Sequence, residues 1–293
     1  MQMHTIFFFG GNLFVGHLPP QCLLMIFDRR PVTNNLETLP DVQSQTDFRS
    51  LPIRKVGITD LRYPIRFDVL GAIQSTTGLW EMAVSLASDK RGTHMSRFLE
   101  ILSDFSGTQT VEDLGEMCSE IKKRLTADTA FLSVCFPWFI EKPAPVSNKP
   151  GKLAIDVKIS ISAGRTIQTE VSIKVLATSL CPCSKQISKY GAHNQRCELS
   201  LTVRFAEGQM ISLEELFKIA ESSASAPLFS TVKREDEKFI TEQAYENPKF
   251  CEDTVRELAG SLNSDQRIKW YRCSVENFES IHSHNAFAEI ISE

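Results

Sequence analysis

The chain has 293 residues, 42% of them hydrophobic and 23% charged, with a formal net charge of −4. It is long enough to bury a full core and to hold two compact units. The acidic balance lacks the basic excess of a nucleic-acid-binding domain, so no nucleic-acid partner is expected. Eight cysteines, at 22, 118, 135, 181, 183, 197, 251 and 273, are irregularly spaced. Most lie in apolar segments, which suits reduced, buried thiols in a cytoplasmic protein rather than a disulfide framework.

Residues 1–36 differ from the rest. IFFFGGNLFVG is apolar for only about a dozen residues, is broken by glycines and stops at Pro19-Pro20. A membrane span needs roughly 20 apolar residues, so no membrane partner is expected. The basic n-region and small-residue cleavage site of a secretory signal are missing. The segment reads as a leader, disordered or spurious, with a targeting or anchoring role as the alternative reading and Met25 as an alternative start.

Beyond it the chain reads as one globular body. VGITDLRYPIRFDVLG (56–71) and TGLWEMAVSLA (77–87) predict a β-hairpin. HMSRFLEILSDF (94–105) carries apolar residues at helical spacing, ended by Gly107. Thr110 and Asp113 form a capping box for a helix running to about Leu125. FLSVCFPWFI (131–140) is a strand, and Pro143, Pro145 and Pro150 mark a break. KLAIDVKISIS (152–162) and TIQTEVSIKVLA (166–177) are strands around Gly164. CPCSKQISKYGAHNQR reads as a loop before the strand RCELSLTVRF (196–205). Ser212 and Glu215 cap a helix to about Ala224. NPKFCEDTVRELAGSL (247–262) predicts a helix with proline in its first turn, followed by the strand RIKWYRCSVEN (267–277). The order implies an α+β protein with helices covering one face of an antiparallel sheet. Two tandem modules are expected, 38–145 and 150–293.

Two polar clusters stand out. Cys181, Cys183 and His193 lie within thirteen residues of one another, and Glu279-Ser280-Ile281-His282-Ser283-His284 lies near the C-terminus. Thiolate, imidazole and carboxylate suit a catalytic divalent metal with a position left for water. No paired C-x-x-C spacing points to a closed structural zinc site. Plainer readings stand beside these: a cysteine is often a small core residue, and the Lys-Arg-Glu-Asp-Glu-Lys run at 233–238 would ordinarily be a solvated face. His282 and His284 share a strand face, whereas Glu279 and His282 fit one helical turn, so the segment must bend. His94 is a cap neighbour or a substrate contact.

LPDVQSQTDFRSLPIRKVGITDLRYPI (39–65), RGTHMSRF (91–98), TSLCPCSKQISKYGAHNQR (178–196), VKREDEKFITEQAYENPKFCEDTVREL (232–258) and ENFESIHSHNAFA (276–288) together resemble the type IB GTP cyclohydrolase I family. The resemblance covers nearly the whole chain after about residue 38. It implies the tunnelling fold, two modules per chain, and a homotetramer with active sites at subunit interfaces. It implies a metal-dependent enzyme that converts GTP and water to 7,8-dihydroneopterin triphosphate and formate, the first step of folate synthesis. By the same resemblance Cys181 is a catalytic metal ligand and His193 a catalytic histidine. Glu235, with Glu237 as a rival, is the metal-site glutamate; Glu279 and His282 are metal ligands; Glu252 anchors the purine. Cys183, His284 and His94 are further candidates. Cys/His/Glu ligation accepts Zn²⁺, Mn²⁺ or Fe²⁺. Among the basic residues of these blocks, Lys185, Lys189, Arg196, Lys233, Arg234, Arg62, Arg66 and Arg91 are triphosphate candidates. Two other functions compete. One is an NADPH-dependent nitrile reductase of the same fold, for which no convincing cofactor motif is found. The other is a non-catalytic metal-binding interaction protein.

Overall fold

The computed structural model describes residues 7–9, 12–14 and 40–293. Phe7–Phe9 (β1) and Asn12–Phe14 (β2) pair antiparallel as a small unit of their own. The expectation for the leader as a whole lies outside the described residues.

The body from Val42 to Glu293 is built on one nine-stranded sheet. Its strands are β3 (Ile53–Val69), β4 (Ala72–Leu86), β5 (Thr108–Gln109), β6 (Ala130–Glu141), β7 (Lys152–Ala163), β8 (Ile167–Leu180), β9 (Asn194–Phe205), β10 (Ile268–Asn277) and β11 (Ala286–Ile291). They lie in the order β11-β10-β9-β8-β7-β6-β4-β3-β5. Every pairing is antiparallel except β3 with β5. The helices are α1 (Ser96–Asp104), α2 (Val111–Arg124), α3 (Pro182–Ile187), α4 (Leu213–Ser222), α5 (Arg234–Glu246) and α6 (Cys251–Ser264). The architecture is α+β, as expected.

Alternation explains the sheet. Ile155, Val157, Ile159 and Ile161 of β7, Val171, Ile173 and Val175 of β8, and Leu199, Leu201 and Val203 of β9 all face one buried side. That side packs beneath Leu114, Met117 and Ile121 of α2, Leu216 and Phe217 of α4, and Val255, Leu258 and Leu262 of α6. The opposite face carries charge: Lys174 meets Glu198 at 2.7 Å and Arg204 meets Glu170 at 2.5 Å. The β3–β4 hairpin turns on Leu70 and Gly71, with φ of 52° and 91°. Two consecutive positive φ values fit the twist of the flanking strands, and only glycine adopts such a φ without steric cost.

The predicted caps form. Thr110 Oγ1 accepts from Asp113 N at 3.2 Å while Thr110 N donates to Asp113 Oδ2 at 2.8 Å. Ser212 Oγ accepts from Glu215 N at 3.1 Å. Other expectations are corrected. The segment after Cys181 holds the short helix α3, begun by Pro182, rather than a continuous loop. The helix containing Glu252 starts at Cys251, so Pro248 precedes it; Asp253 Oδ2 accepts from Phe250 N at 3.1 Å to close its first turn. α5 and β11 were not anticipated. The prolines at 143–150 sit in the β6–β7 connection, across strands that pair from Ala130↔Ala163 to Glu141↔Lys152. All seven cysteines among the described residues are free. No helix there is long and apolar enough to cross a membrane.

Candidate active site

β8, β9 and β10 are neighbours of alternating direction, so the end of β8, the start of β9 and the end of β10 share one end of the sheet. The site is built there. β8 and β9 pair as far as Leu180↔Asn194, and Cys181 N donates to His193 O at 3.1 Å as one further rung. The chain between leaves through α3 and returns through Gly191, at φ 121°. Ser184 ties this excursion to its base. Its hydroxyl donates to Cys181 O at 3.1 Å and accepts from His193 N at 3.2 Å. Ser184 N points at Cys181 Sγ from 3.5 Å, the one hydrogen bond to that sulfur among the described residues, and the sulfur remains half-buried and reachable.

His193 is oriented from its own strand. Its Nδ1 lies 3.0 Å from Gln195 Oε1. An amide oxygen only accepts, so Nδ1 is the donor in this contact, and in the neutral imidazole that leaves the lone pair on Nε2. Ser280 Oγ, from the segment after β10, comes within 3.4 Å of His193 Nδ1 and 3.5 Å of Gln195 Oε1. Gln195, Ser184 and Ser280 were not singled out from sequence. Gln195 was findable, because residues i and i+2 of a strand share a face.

The other candidates lie around this end. Glu279 follows β10, with its N–H bonded to Asn277 O at 3.0 Å. The segment 280–284 bends, as the clash of periodicities required, and the rings of His282 and His284 stack at 5.2 Å. Both histidines are exposed, as is Cys183. Glu252 sits in the first turn of α6 with an exposed side chain. Its own backbone N–H, then the Cys251 thiol at 3.2 Å, hold its carboxyl below the usual range. Burial meanwhile pushes the Cys251 thiol up to about 11. Glu235 and Glu237 are exposed on either side of the fully buried Asp236. Asp236 accepts from Val146 N (2.9 Å), Ser147 N (2.8 Å), Ser147 Oγ (2.6 Å) and Lys233 N (2.7 Å), which fixes the start of α5 to the β6–β7 connection. His94 precedes α1, where its carbonyl accepts from Arg97 N at 3.3 Å. Lys185 donates to Tyr245 O and lies over that ring, pinning α3 to α5.

Cys181, His193 and Ser280 are thus brought together, but the whole proposed ligand set is not. Among the described residues, no group of three or more His, Cys, Asp or Glu side chains is close enough to hold a metal ion. The donor chemistry itself, thiolate with imidazole and carboxylate, fits a borderline divalent ion. A cavity of about 710 Å³ lies on the helix-free face near the start of β8, lined by Lys55, Glu81, Lys158 and Glu170 among others. It contains none of these side chains, so the site is defined by the residues rather than by that hollow.

Comparison with known proteins shows the family of the chain. The family described as type I GTP cyclohydrolase folE2 matches residues 39–288. A GTP cyclohydrolase FolE2 of Magnetococcus marinus is 47% identical over 254 residues, covering 86% of this chain and 95% of that protein. Its namesake in Dictyoglomus thermophilum is 44% identical over 249 residues, covering 85% and 96%. One from Burkholderia ambifaria is 45% identical over 255 residues, covering 86% and 94%. Among solved structures, a urate oxidase mutant from Bacillus sp. TB-90 superposes with a TM-score of 0.48 at 8% identity, over 82% of this chain and 99% of that one, too loosely to support any argument. On the sequence matches, this chain belongs to the type I GTP cyclohydrolase FolE2 family.

Proposed function

We infer that the protein is a GTP cyclohydrolase, which converts GTP and water to 7,8-dihydroneopterin triphosphate and formate as the first step of folate synthesis in the cytoplasm. One observation carries this: inside a chain matched to the family over 39–288, the fold brings Cys181, His193 and Ser280 to one end of the sheet. Cys181, Glu279 and His282 would hold the metal, with Glu235 or Glu237. When bound there, a divalent ion (Zn²⁺, Mn²⁺ or Fe²⁺) supplies Lewis acidity and a water acidified to a pKa of about 7. The lone pair of His193 Nε2 can take a proton and return it among the nitrogens of the opening imidazole ring. The ionised Glu252 carboxylate accepts from guanine N1–H and the 2-amino group, charge-assisted bonds of about 1.5–3 kcal/mol each.

The same reading includes a homotetramer with sites completed between copies. The exposure of Glu235, Glu252 and His282 supports it, since each can reach a neighbouring chain. So does β11, whose outer edge pairs with no strand among the described residues. It also includes two tunnelling-fold modules. The order strand-strand-helix-helix-strand-strand runs through β3–β7, with the short β5 between its helices, and β8 onward again begins with two strands and ends with two. That order supports a seam between β7 and β8, later than the prolines.

The test is formate release from GTP by purified protein, with oxidised-pterin fluorescence read in parallel. Both products should appear in equal amounts, vanish on exhaustive chelation and return with added metal. Full turnover by verified metal-free protein would refute the metal role. NADPH-dependent nitrile reduction without formate release would replace the function outright.

A further inference from the structure

Behind the site lies a buried polar network, of two side chains and the Lys249 main chain, that joins three of its segments. Asn277, the last residue of β10, is 4% exposed, Ser179 near the end of β8 is 2% exposed, and Lys249 just before α6 is 7% exposed. Asn277 Nδ2 donates to Ser179 Oγ at 3.0 Å, across the intervening strand β9. Ser179 Oγ donates to Lys249 O at 3.3 Å, and Lys249 N donates to Leu180 O at 3.1 Å. Lys249 Nζ is itself anchored, to Ser223 O at 3.0 Å and Glu257 Oε2 at 2.5 Å. Each of the three is within three residues of a proposed functional side chain. Ser179 is two before Cys181, Asn277 is two before Glu279, and Lys249 is three before Glu252. Buried polar groups are costly unless satisfied, and Asn277 Oδ1 has no hydrogen-bond partner among the described residues. An apolar trio would fill this space without that cost. The polar choice gives fixed direction and spacing, which apolar contact does not.

We propose that Asn277, Ser179 and Lys249 form a positioning relay that sets the placement of the base-holding Glu252 relative to Cys181. The proposal rests on the reading of Glu252 as guanine anchor. The relay touches no substrate. It acts by holding the start of α6 against the end of β8, so that the base is presented to the reacting end of the site at one distance.

The experiment is a double-mutant cycle in the metal-loaded enzyme. Ser179→Ala removes one oxygen and both relay bonds with little change in volume. Loss of a buried hydrogen-bonded link should lower kcat/KM for GTP about tenfold, with metal content unchanged. The loss should fall mainly on KM, as for weakened base binding. Asn277→Leu cuts the relay from its other end and should give the same pattern; it replaces the serine variant if that one fails to fold. In a Glu252→Gln background either relay mutation should cost less than twofold, because the anchor it positions is already gone. Full additivity with an impaired Glu252→Gln overturns the relay alone. Normal GTP use by Glu252→Gln overturns the base reading and the relay with it. Metal loss in Ser179→Ala overturns the relay by assigning the network to the metal ligands instead. Unchanged KM and kcat in both relay variants also overturns it.

Discussion

Glu221→Ala should be among the most destabilising single changes outside the site. Lys142, just beyond β6, sends its ammonium onto Glu221 in the last turn of α4 and donates to Leu228 O at 2.9 Å. Its Nζ also lies 4.0 Å from the centre of the Phe229 ring and 5.5 Å from that of Phe217. The side chains are only 12% and 13% exposed. Burial accordingly pushes the Lys142 pKa down and the Glu221 pKa up, each against the pull of its partner. Removing Glu221 strands a buried cation, a loss of about 3–5 kcal/mol. In a body of this size each kcal/mol moves Tm by about 2–4 °C, so Tm should fall by roughly 6–20 °C. The double variant Lys142→Met/Glu221→Leu keeps the volume and removes both charges. It should lie within about 1 kcal/mol of wild type or above it, because replacing a whole buried pair avoids the desolvation that breaking it exposes. Urea titrations at one fixed protein concentration and pH 7 measure all three. A double variant as unstable as Glu221→Ala would refute the reasoning. So would a loss below about 1 kcal/mol in the single variant.

Four further outcomes are expected. Cys181→Ala and Cys181→Ser should abolish formate release while leaving Tm within a few degrees, since this half-buried thiol gives up little core volume; Cys183→Ala should be milder, and near-normal turnover in Cys181→Ala would remove the central role. GTP should turn over while ATP does not, because adenine lacks the donor pair for Glu252 and such sites reject mismatched analogues by up to about 10⁴–10⁵. Glu252→Gln should impair GTP use with metal content intact, as measured by elemental analysis. Asp236→Asn should be less stable than wild type at neutral pH. Hydrogen bonds from Ser147 and from the Lys233 and Val146 backbone hold the Asp236 carboxyl far below the usual range despite the opposing effect of burial. A depressed folded pKa means that its contribution is full above the unfolded value of about 4 and erodes as pH falls below it. The stability gap to Asp236→Asn should therefore be flat from pH 7 to 5 and shrink only in stronger acid. A gap that closes by pH 6 would contradict this.

What was legible in the sequence follows from how much of each element is buried on one side. The long strands and α1, α2, α4 and α6 carry clean periods because each has one apolar face on the core. α5 has no such face: REDEKFITEQAYE buries only Asp236 and Ala244, so its charge run read as a solvated stretch. β11 is an edge strand whose residues alternate only between half-buried and exposed, and α3 has just six residues. At the site, residue types pointed to Cys181 and His193, but their pairing across a turn was not readable from spacing. Glu252 could not be told from any other helical glutamate except through the family resemblance. The links from Asn277 to Ser179 and from Ser179 to Lys249 join segments far apart in the chain, and no local pattern announces them.

The rung from Cys181 N to His193 O has one more consequence. It closes residues 182–192 into a loop whose two ends are clamped by main chain, with Ser184 at its base as the one loop side chain that takes part among the described residues. Evolution can therefore edit the outer part of that loop, where Gln186, Ile187, Ser188, Lys189 and Tyr190 are all exposed, without resetting the reacting pair. Changes there would alter what enters the site and how fast, while sulfur and imidazole keep a common foundation in the sheet.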